Sequence, residues 1–295
     1  ADVNAKDENQ KTALHLASNR TVAEILINCG AAVDSCDEHE RTPLHATCMS
    51  TRGDNDIAEL LLEHGATVDA YDHDDNTPLH LAFHKSIIKC VELSQLLIEH
   101  GADVDATNRE ESTPLHLAAE SGRHDTAAIL LAHGAETELR DSFKNTPLHL
   151  VTSPEVAETL IRGGADIHAT ARDGWTPLHH CAMNEFGNME DAAELLIEFG
   201  AAVDARDSEH QRTPLFVAAE DGHADMVAIL LKHGANVDAR DRYDRTPLYI
   251  AAANGFLDTA EVLIKNGADV DAVPADGDDH DDELSLLHIA ANLGH

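Results

Sequence analysis

Histidine offers this chain most of its potential chemistry: 21 occur among 295 residues. His80 and His84 stand four apart, which on a helix sets both imidazoles on one face, the arrangement that opens many zinc sites. Such a site also needs a third ligand and a neighbouring glutamate, and neither accompanies this pair. His179, His180 and Cys181 are consecutive, and His180 replaces an apolar residue, so it reads as a histidine at the edge of the core. Asp269 to Glu283 holds eight acids and no base. Asp276, Asp278, His280 and Asp282 alternate there and could attract calcium. The run lacks the D-x-D-x-D-G order of a calcium-binding loop, so it reads as a solvated acidic loop. No glycine-rich phosphate loop and no nucleophile elbow occur. The segment is therefore expected not to be an enzyme, and no cofactor or metal is expected.

Most of the histidines obey a period. T-P-L-H, or a close variant, begins at Thr12, Thr42, Thr77, Thr113, Thr146, Thr176, Thr213, Thr246 and Ser285, 30 to 39 residues apart. Gly-Ala answers it in each unit, at Gly30, Gly65, Gly101, Gly134, Gly164, Gly200, Gly234 and Gly267. Seven histidines (His15, His45, His80, His116, His149, His179 and His288) fill the fourth place of the phrase. His64, His100, His133 and His233 precede Gly-Ala, near helix C-termini that favour partial positive charge.

The elements that carry these residues follow from one unit. Thr113 can cap a helix with its hydroxyl, and Pro114 sits where a missing N–H costs nothing. Leu115, Leu117, Ala118 and Ala119 continue a short helix of small residues, and Ser121-Gly122 turns the chain. A second helix from Thr126 to His133 places Ala127, Ile129, Leu130 and Leu131 at buried spacing, and Gly134 ends it in the left-handed region. Ala135 to Asn145 is polar and turn-rich. Such a helix pair cannot bury its apolar face alone, but stacked neighbours can.

On those residues the chain resembles the ankyrin-repeat family, whose signature is a 33-residue unit with T-P-L-H-x-A. The resemblance implies an all-α repeat solenoid, helix-turn-helix pairs joined by β-hairpin fingers, with a concave binding face. Repeats are expected at about 7–36, 37–71, 72–107, 108–140, 141–170, 171–207, 208–240 and 241–279, with a partial ninth at 280–295, as a single array. It also implies that the T-P-L-H histidines hydrogen-bond between neighbouring hairpins. Units lack three residues at Ser18–Thr21 and at Thr152–Pro154, where Pro154 is expected to start the second helix. Others are lengthened at Ser50–Asp56, Phe83–Ser94 and Glu185–Glu190. Ala1–Ala5 resembles the tail of a preceding finger and the last residues stop within a ninth unit, so an excerpt of a longer protein is expected.

The family binds partners through finger tips and the inner face of the first helix. Carried over residue by residue, the expected partner-binding positions are Phe143, Arg172, Trp175, Met183, Arg212, Glu220, Arg242, Tyr243 and Arg245. Phe143, Trp175 and Tyr243 are three of only ten aromatics, and aromatics and arginine dominate interface energetics. For Trp175, packing on the adjacent finger is the competing reading. Arg140-Asp141, Arg206-Asp207 and Arg240-Asp241 suggest ion pairs between fingers.

Formal charge is −35, which disfavours nucleic acid and anionic membrane surfaces and suggests a partner protein with a basic surface. Asp is 32 and Lys only 7, a bias that a high-salt cell would also produce. No run reaches the ~18 apolar residues of a membrane span. Five cysteines without a paired spacing point to a reducing, cytoplasmic compartment. Function is expected to be that of a protein-interaction scaffold, or of a spacer or regulatory arm in a larger multidomain protein.

Overall fold

A computed structural model describes residues 2–50, 55–83, 90–183 and 189–272. The chain forms two compact units, Ala1–Ser142 and Phe143–His295. The first contains α1 (Arg20–Asn28), α2 (Pro43–Cys48), α3 (Asn55–Glu63), α4 (Pro78–Leu81), α5 (Cys90–Glu99), α6 (Pro114–Glu120) and α7 (His124–Ala132). The second contains a 3-10 turn (Pro147–Leu150), α8 (Pro154–Arg162), α9 (Pro177–Met183), α10 (Met189–Glu198), α11 (Pro214–Asp221), α12 (Ala224–Lys232), α13 (Pro247–Asn254) and α14 (Leu257–Lys265). Within each unit the helices stack in two rows. α2, α4 and α6 pack in order, as do α1, α3, α5 and α7. The 3-10 turn, α9, α11 and α13 form one row of the second unit, and α8, α10, α12 and α14 the other. No helix among the described residues is long and apolar enough to cross a membrane.

Burial repeats with the sequence period. The leucine of the phrase is sealed in each unit, at Leu44, Leu79, Leu115, Leu148, Leu178, Leu215 and Leu248. So, from the second unit on, is the leucine four residues before Gly-Ala, at Leu61, Leu97, Leu130, Leu160, Leu196, Leu230 and Leu263. Each such side chain contributes roughly 1.5–3 kcal/mol of hydrophobic stabilisation. Gly-Ala closes each second helix: Gly134 lies at φ 90° and the N–H of Ala135 donates to the Leu130 carbonyl at 3.0 Å. That six-to-one bond satisfies a carbonyl the helix would otherwise leave open. His64, His100 and His133 serve the same end, each Nδ1–H donating at 2.9 Å to the carbonyl four residues back.

The phrase histidines carry the joint between repeats. At Thr42 the backbone N–H donates to His45 Nδ1 at 3.1 Å and the hydroxyl bonds the same nitrogen at 3.0 Å. An Nδ1 that accepts an N–H carries no proton, so Nε2 holds it and donates to the Asn76 carbonyl at 3.1 Å. His15, His80, His149 and His179 repeat this, reaching the carbonyls of Arg41, Ser112, Trp175 and Arg212 at 2.9–3.1 Å. The threonine hydroxyl thus serves mainly the ring, where the sequence suggested a plain helix cap. Where Phe216 and Tyr249 replace histidine, the hydroxyls of Thr213 and Thr246 revert to capping, accepting from Phe216 N–H at 3.3 Å and Tyr249 N–H at 3.2 Å.

Three details depart from the sequence reading. The second helix of the fourth unit spans His124–Ala132, two residues earlier than expected at its start. The short fifth unit has only a 3-10 turn for its first helix, because Val151 turns extended to reach Pro154, which begins α8 as expected. Fingers close as tight turns, and no strand occurs among the described residues. The inserted stretches at 51–54, 84–89 and 185–188 lie outside the described residues, with His84 among them, as do the acidic loop from 273 and the partial ninth unit.

Burial lowers the pKa of His15, His45 and His179 below 6.5, and brings His80 to about 4. The unfolded chain therefore binds more protons than the native one in this range. The neutral rings contribute fully above pH 6.5, and that stability is lost as pH falls, for His80 through about 4. Thermal unfolding followed by circular dichroism is expected to show a steady fall in Tm from pH 6.5 to 4. A flat Tm across that interval contradicts the assignment.

Candidate protein-interaction surface

Each finger is built from its base outward. An Asp or Asn at the base accepts two backbone N–H groups further along, as Asp37 does from His39 at 2.8 Å and Arg41 at 3.0 Å. Asp7, Asp72, Asn108 and Asp241 do the same. The turn then passes through a non-glycine residue at positive φ: Gln10, Glu40, Asp75, Glu111, Lys144, Asp173, Gln211 and Asp244. The base N–H bonds the last carbonyl of the finger, Asp37 to Arg41 at 2.9 Å. One backbone bond then links finger to finger, such as His73 N–H to the His39 carbonyl at 2.9 Å. In the second unit Arg172 donates to Phe143, Ser208 to Asp173 and Arg242 to His210.

The sixth finger, which carries Arg172 and Trp175, breaks the pattern. Ala171 stands at its base and has no carboxylate to hold the turn. Two consecutive residues at positive φ replace it, Asp173 at 63° and Gly174 at 79°. A Cβ on Gly174 would lie 2.8 Å from the Ser208 backbone nitrogen, so the next finger's close approach requires glycine there.

The structure gathers eight of the nine expected residues into two groups. In the first, the Arg172 guanidinium lies 5.8 Å over the Phe143 ring. Trp175 is half-buried, meets His180 edge-on at 5.4 Å and has Arg212 over its face at 5.5 Å. Arg212 in turn donates to Asp207 at 2.8 Å and to Glu220 at 2.8 Å. Phe143, Asn145, Ala171, Arg172, Asp173, Trp175 and His180 line a shallow pocket of about 250 Å³. In the second group Arg242 lies 5.5 Å and Arg245 5.0 Å over Tyr243, while Arg245 also covers Phe216 at 5.7 Å. His210 meets Tyr243 at 6.1 Å. Phe143 and Tyr243 are 60% and 54% exposed. Met183, 44% exposed, ends α9 and joins neither group.

Several partners escaped the sequence reading. Arg206 does not pair with Asp207; it donates to the carbonyls of Gln211 and Arg240. Asp207 faces Arg212 instead, and Asp241 faces Arg245 at 2.7 Å, because the base carboxylate is turned into its own finger. Pairs between fingers do occur, at Arg41–Asp72 (3.4 Å) and Arg109–Asp74 (3.3 Å). His180 and Phe216 were legible only as departures from the phrase. Burial would raise the Asp207 carboxyl, but the Arg212 guanidinium and the N–H groups of His210 and Arg212 outweigh it and hold it below its ordinary value. Burial pushes His180 down to about 3, helped by His149 and His179, so it is a neutral wall of the pocket.

The family described as ankyrin repeats (3 copies) matches residues 1–72, 18–108, 53–141, 92–171, 133–207 and 186–274. The chain belongs to the ankyrin-repeat family. It is 36% identical to mouse Rabankyrin-5 over 96 residues, which is 28% of this chain and 8% of that protein. It is 38% identical to the mouse B-cell lymphoma 3 protein homolog over 92 residues, 30% of this chain and 20% of that protein. Human palmitoyltransferase ZDHHC13 matches at 34% over 82 residues, 28% of this chain and 13% of that protein. The match thus spans at most a fifth of any of these three relatives. What carries over from ankyrin repeats in general is protein binding.

Trp175 is the single tryptophan and reports directly on this surface. Arg212→Ala removes the cation from its face and leaves the buried Asp207 carboxylate with backbone partners only. A loss of about 2–3 kcal/mol is expected in urea unfolding, together with a change in native tryptophan emission. Unchanged stability and emission would show that Arg212 does not organise the group.

Proposed function

We propose that this chain binds another protein through its fingers and the inner face of its first helices, with the contact centred on residues 143–245. The residues assigned are Phe143, Arg172, Trp175, Met183, Arg212, Glu220, Arg242, Tyr243 and Arg245. One observation carries the reading: two large rings, Phe143 and Tyr243, stand more than half exposed, each with a guanidinium over its face. Rings displayed in this way on a rigid frame are the usual anchors of interfaces. Arg212 and Glu220 act by fixing Trp175 and each other. Met183 supplies adaptable apolar surface at the end of α9.

The repeat phase passes from Thr113 to Thr146 at its ordinary 33-residue spacing, which supports reading 1–295 as a single array. Catalysis is not part of the proposed role. A reducing, cytoplasmic setting is supported by five cysteines that are all free thiols. The net charge of −35 favours a partner whose surface is basic overall, and disfavours nucleic acid. Use as a regulatory or spacer arm of a larger protein is a second reading, supported by relatives much longer than the matched part.

Phe143→Ser/Tyr243→Ala removes exposed rings and is expected to leave Tm nearly unchanged. Immobilised parent and variant are compared for capture from extract of the source cells. A protein retained by the parent and lost by the variant supports the finger row. Equal retention places the contact elsewhere, and no retention favours the spacer role.

A further inference from the structure

The last three described fingers do not share the strong negative charge of the chain. Residues 7–11, 37–41, 72–76 and 108–112 carry ten acids against three bases. Residues 171–175, 207–212 and 241–245 carry five acids against four bases, and their acids are largely spent internally. Asp207 faces Arg212, Asp241 faces Arg245, and Asp244 faces Arg240 at 2.5 Å. Arg242 is different. It is exposed, lies over Tyr243, and among the described residues its side chain bonds the Glu209 carbonyl alone, at 2.8 Å. Arg206 likewise donates only to carbonyls, those of Gln211 and Arg240. Among the described residues the exposed Arg242 guanidinium beside the exposed Tyr243 ring thus has no carboxylate, while three of the five acids, Asp207, Asp241 and Asp244, each face an arginine.

Resting on the proposed role of the finger row, we infer that residues 143–245 take an extended acidic segment of the partner, seating one aromatic or large aliphatic side chain between Phe143 and Trp175 and a carboxylate on Arg242. The pocket of about 250 Å³ lies below the range of small-molecule sites and suits a single side chain. His180, edge-on to Trp175, gives the pocket a neutral side beside the Phe143 ring, and Arg172 and Asp173 are the charged residues of its lining. From the sixth finger to the eighth is about 16–20 Å if fingers keep the spacing of packed helices. An extended chain covers that in about five or six residues. Local sign prevails over the net −35 because exposed charges beyond about 10 Å are largely screened at physiological salt. The contact segment is thus opposite in sign to the basic surface that total charge suggests.

Three fluorescein-labelled peptides of about ten residues test this, long enough for the span. One has a phenylalanine followed by aspartates and glutamates. The second has serine for the phenylalanine, and the third has lysines for the acids. Binding to the full chain is read by anisotropy at physiological salt and by Trp175 emission. The acidic phenylalanine peptide is expected to bind about fivefold or more tighter than either control, and to change the emission. Arg242→Ser is expected to weaken it about fivefold with Tm unchanged. Preference for the lysine peptide, lost in Phe143→Ser/Tyr243→Ala, overturns the acidic assignment and leaves the finger row standing. Binding by none of the three overturns it too, and the capture experiment then judges the finger row on its own.

Discussion

A single carbonyl oxygen at the end of five fingers holds the design together. The Arg41 carbonyl accepts the Asp37 N–H that closes its own finger and the Nε2–H of His15 from the preceding repeat. Asn76, Ser112, Trp175 and Arg212 play the same double part. A carbonyl has two lone pairs, so one oxygen can fix the shape of a finger and its place on the stack together. The imidazole that makes this possible must be neutral and in one tautomer, which its burial and the threonine N–H enforce. Stacked leucines supply the bulk of the stabilisation, but they are non-directional. The histidine bridge sets the register in which they stack.

Where histidine is replaced, the joint changes kind. Phe216 cannot reach the Arg245 carbonyl with a proton, and the Arg245 side chain lies over its ring instead. That substitution brings a cation into the second group, beside Tyr243. The surface proposed for recognition is thus partly a by-product of how two repeats solved a packing problem. Trp175 has a similar double character: its carbonyl belongs to the joint with His149, while its ring carries Arg212. Packing within the fingers does not use up this ring, which stays half-buried.

The fold was legible because its signals are local and repeated. Thr-Pro marks a helix start, Gly-Ala marks an end, and leucines between them have nowhere to go but a neighbouring repeat. Even the short fifth unit followed, since Pro154 can only begin a helix there. The candidate site was less legible. Exposed rings could be counted, but which arginine meets which carboxylate depends on how each base Asp is turned, and adjacency in sequence misled at Arg206-Asp207. Ala171 was a silent change in the sequence. Its effect, two residues at positive φ and a glycine pressed against Ser208, exists only in three dimensions.

The construction of the fingers also bears on how such a surface changes over generations. A finger's backbone is held at its base, by one carboxylate and one shared carbonyl, and along the row by one backbone bond to each neighbour. Most side chains at the tip positions take little part in that framework, with Arg109 on Asp74, Arg242 on the Glu209 carbonyl and Gly174 against Ser208 as exceptions. Mutation there can exchange a ring for an acid, or a guanidinium for a hydroxyl, without disturbing how the repeats stack. Each tip can therefore change largely by itself while the repeats beneath stay folded.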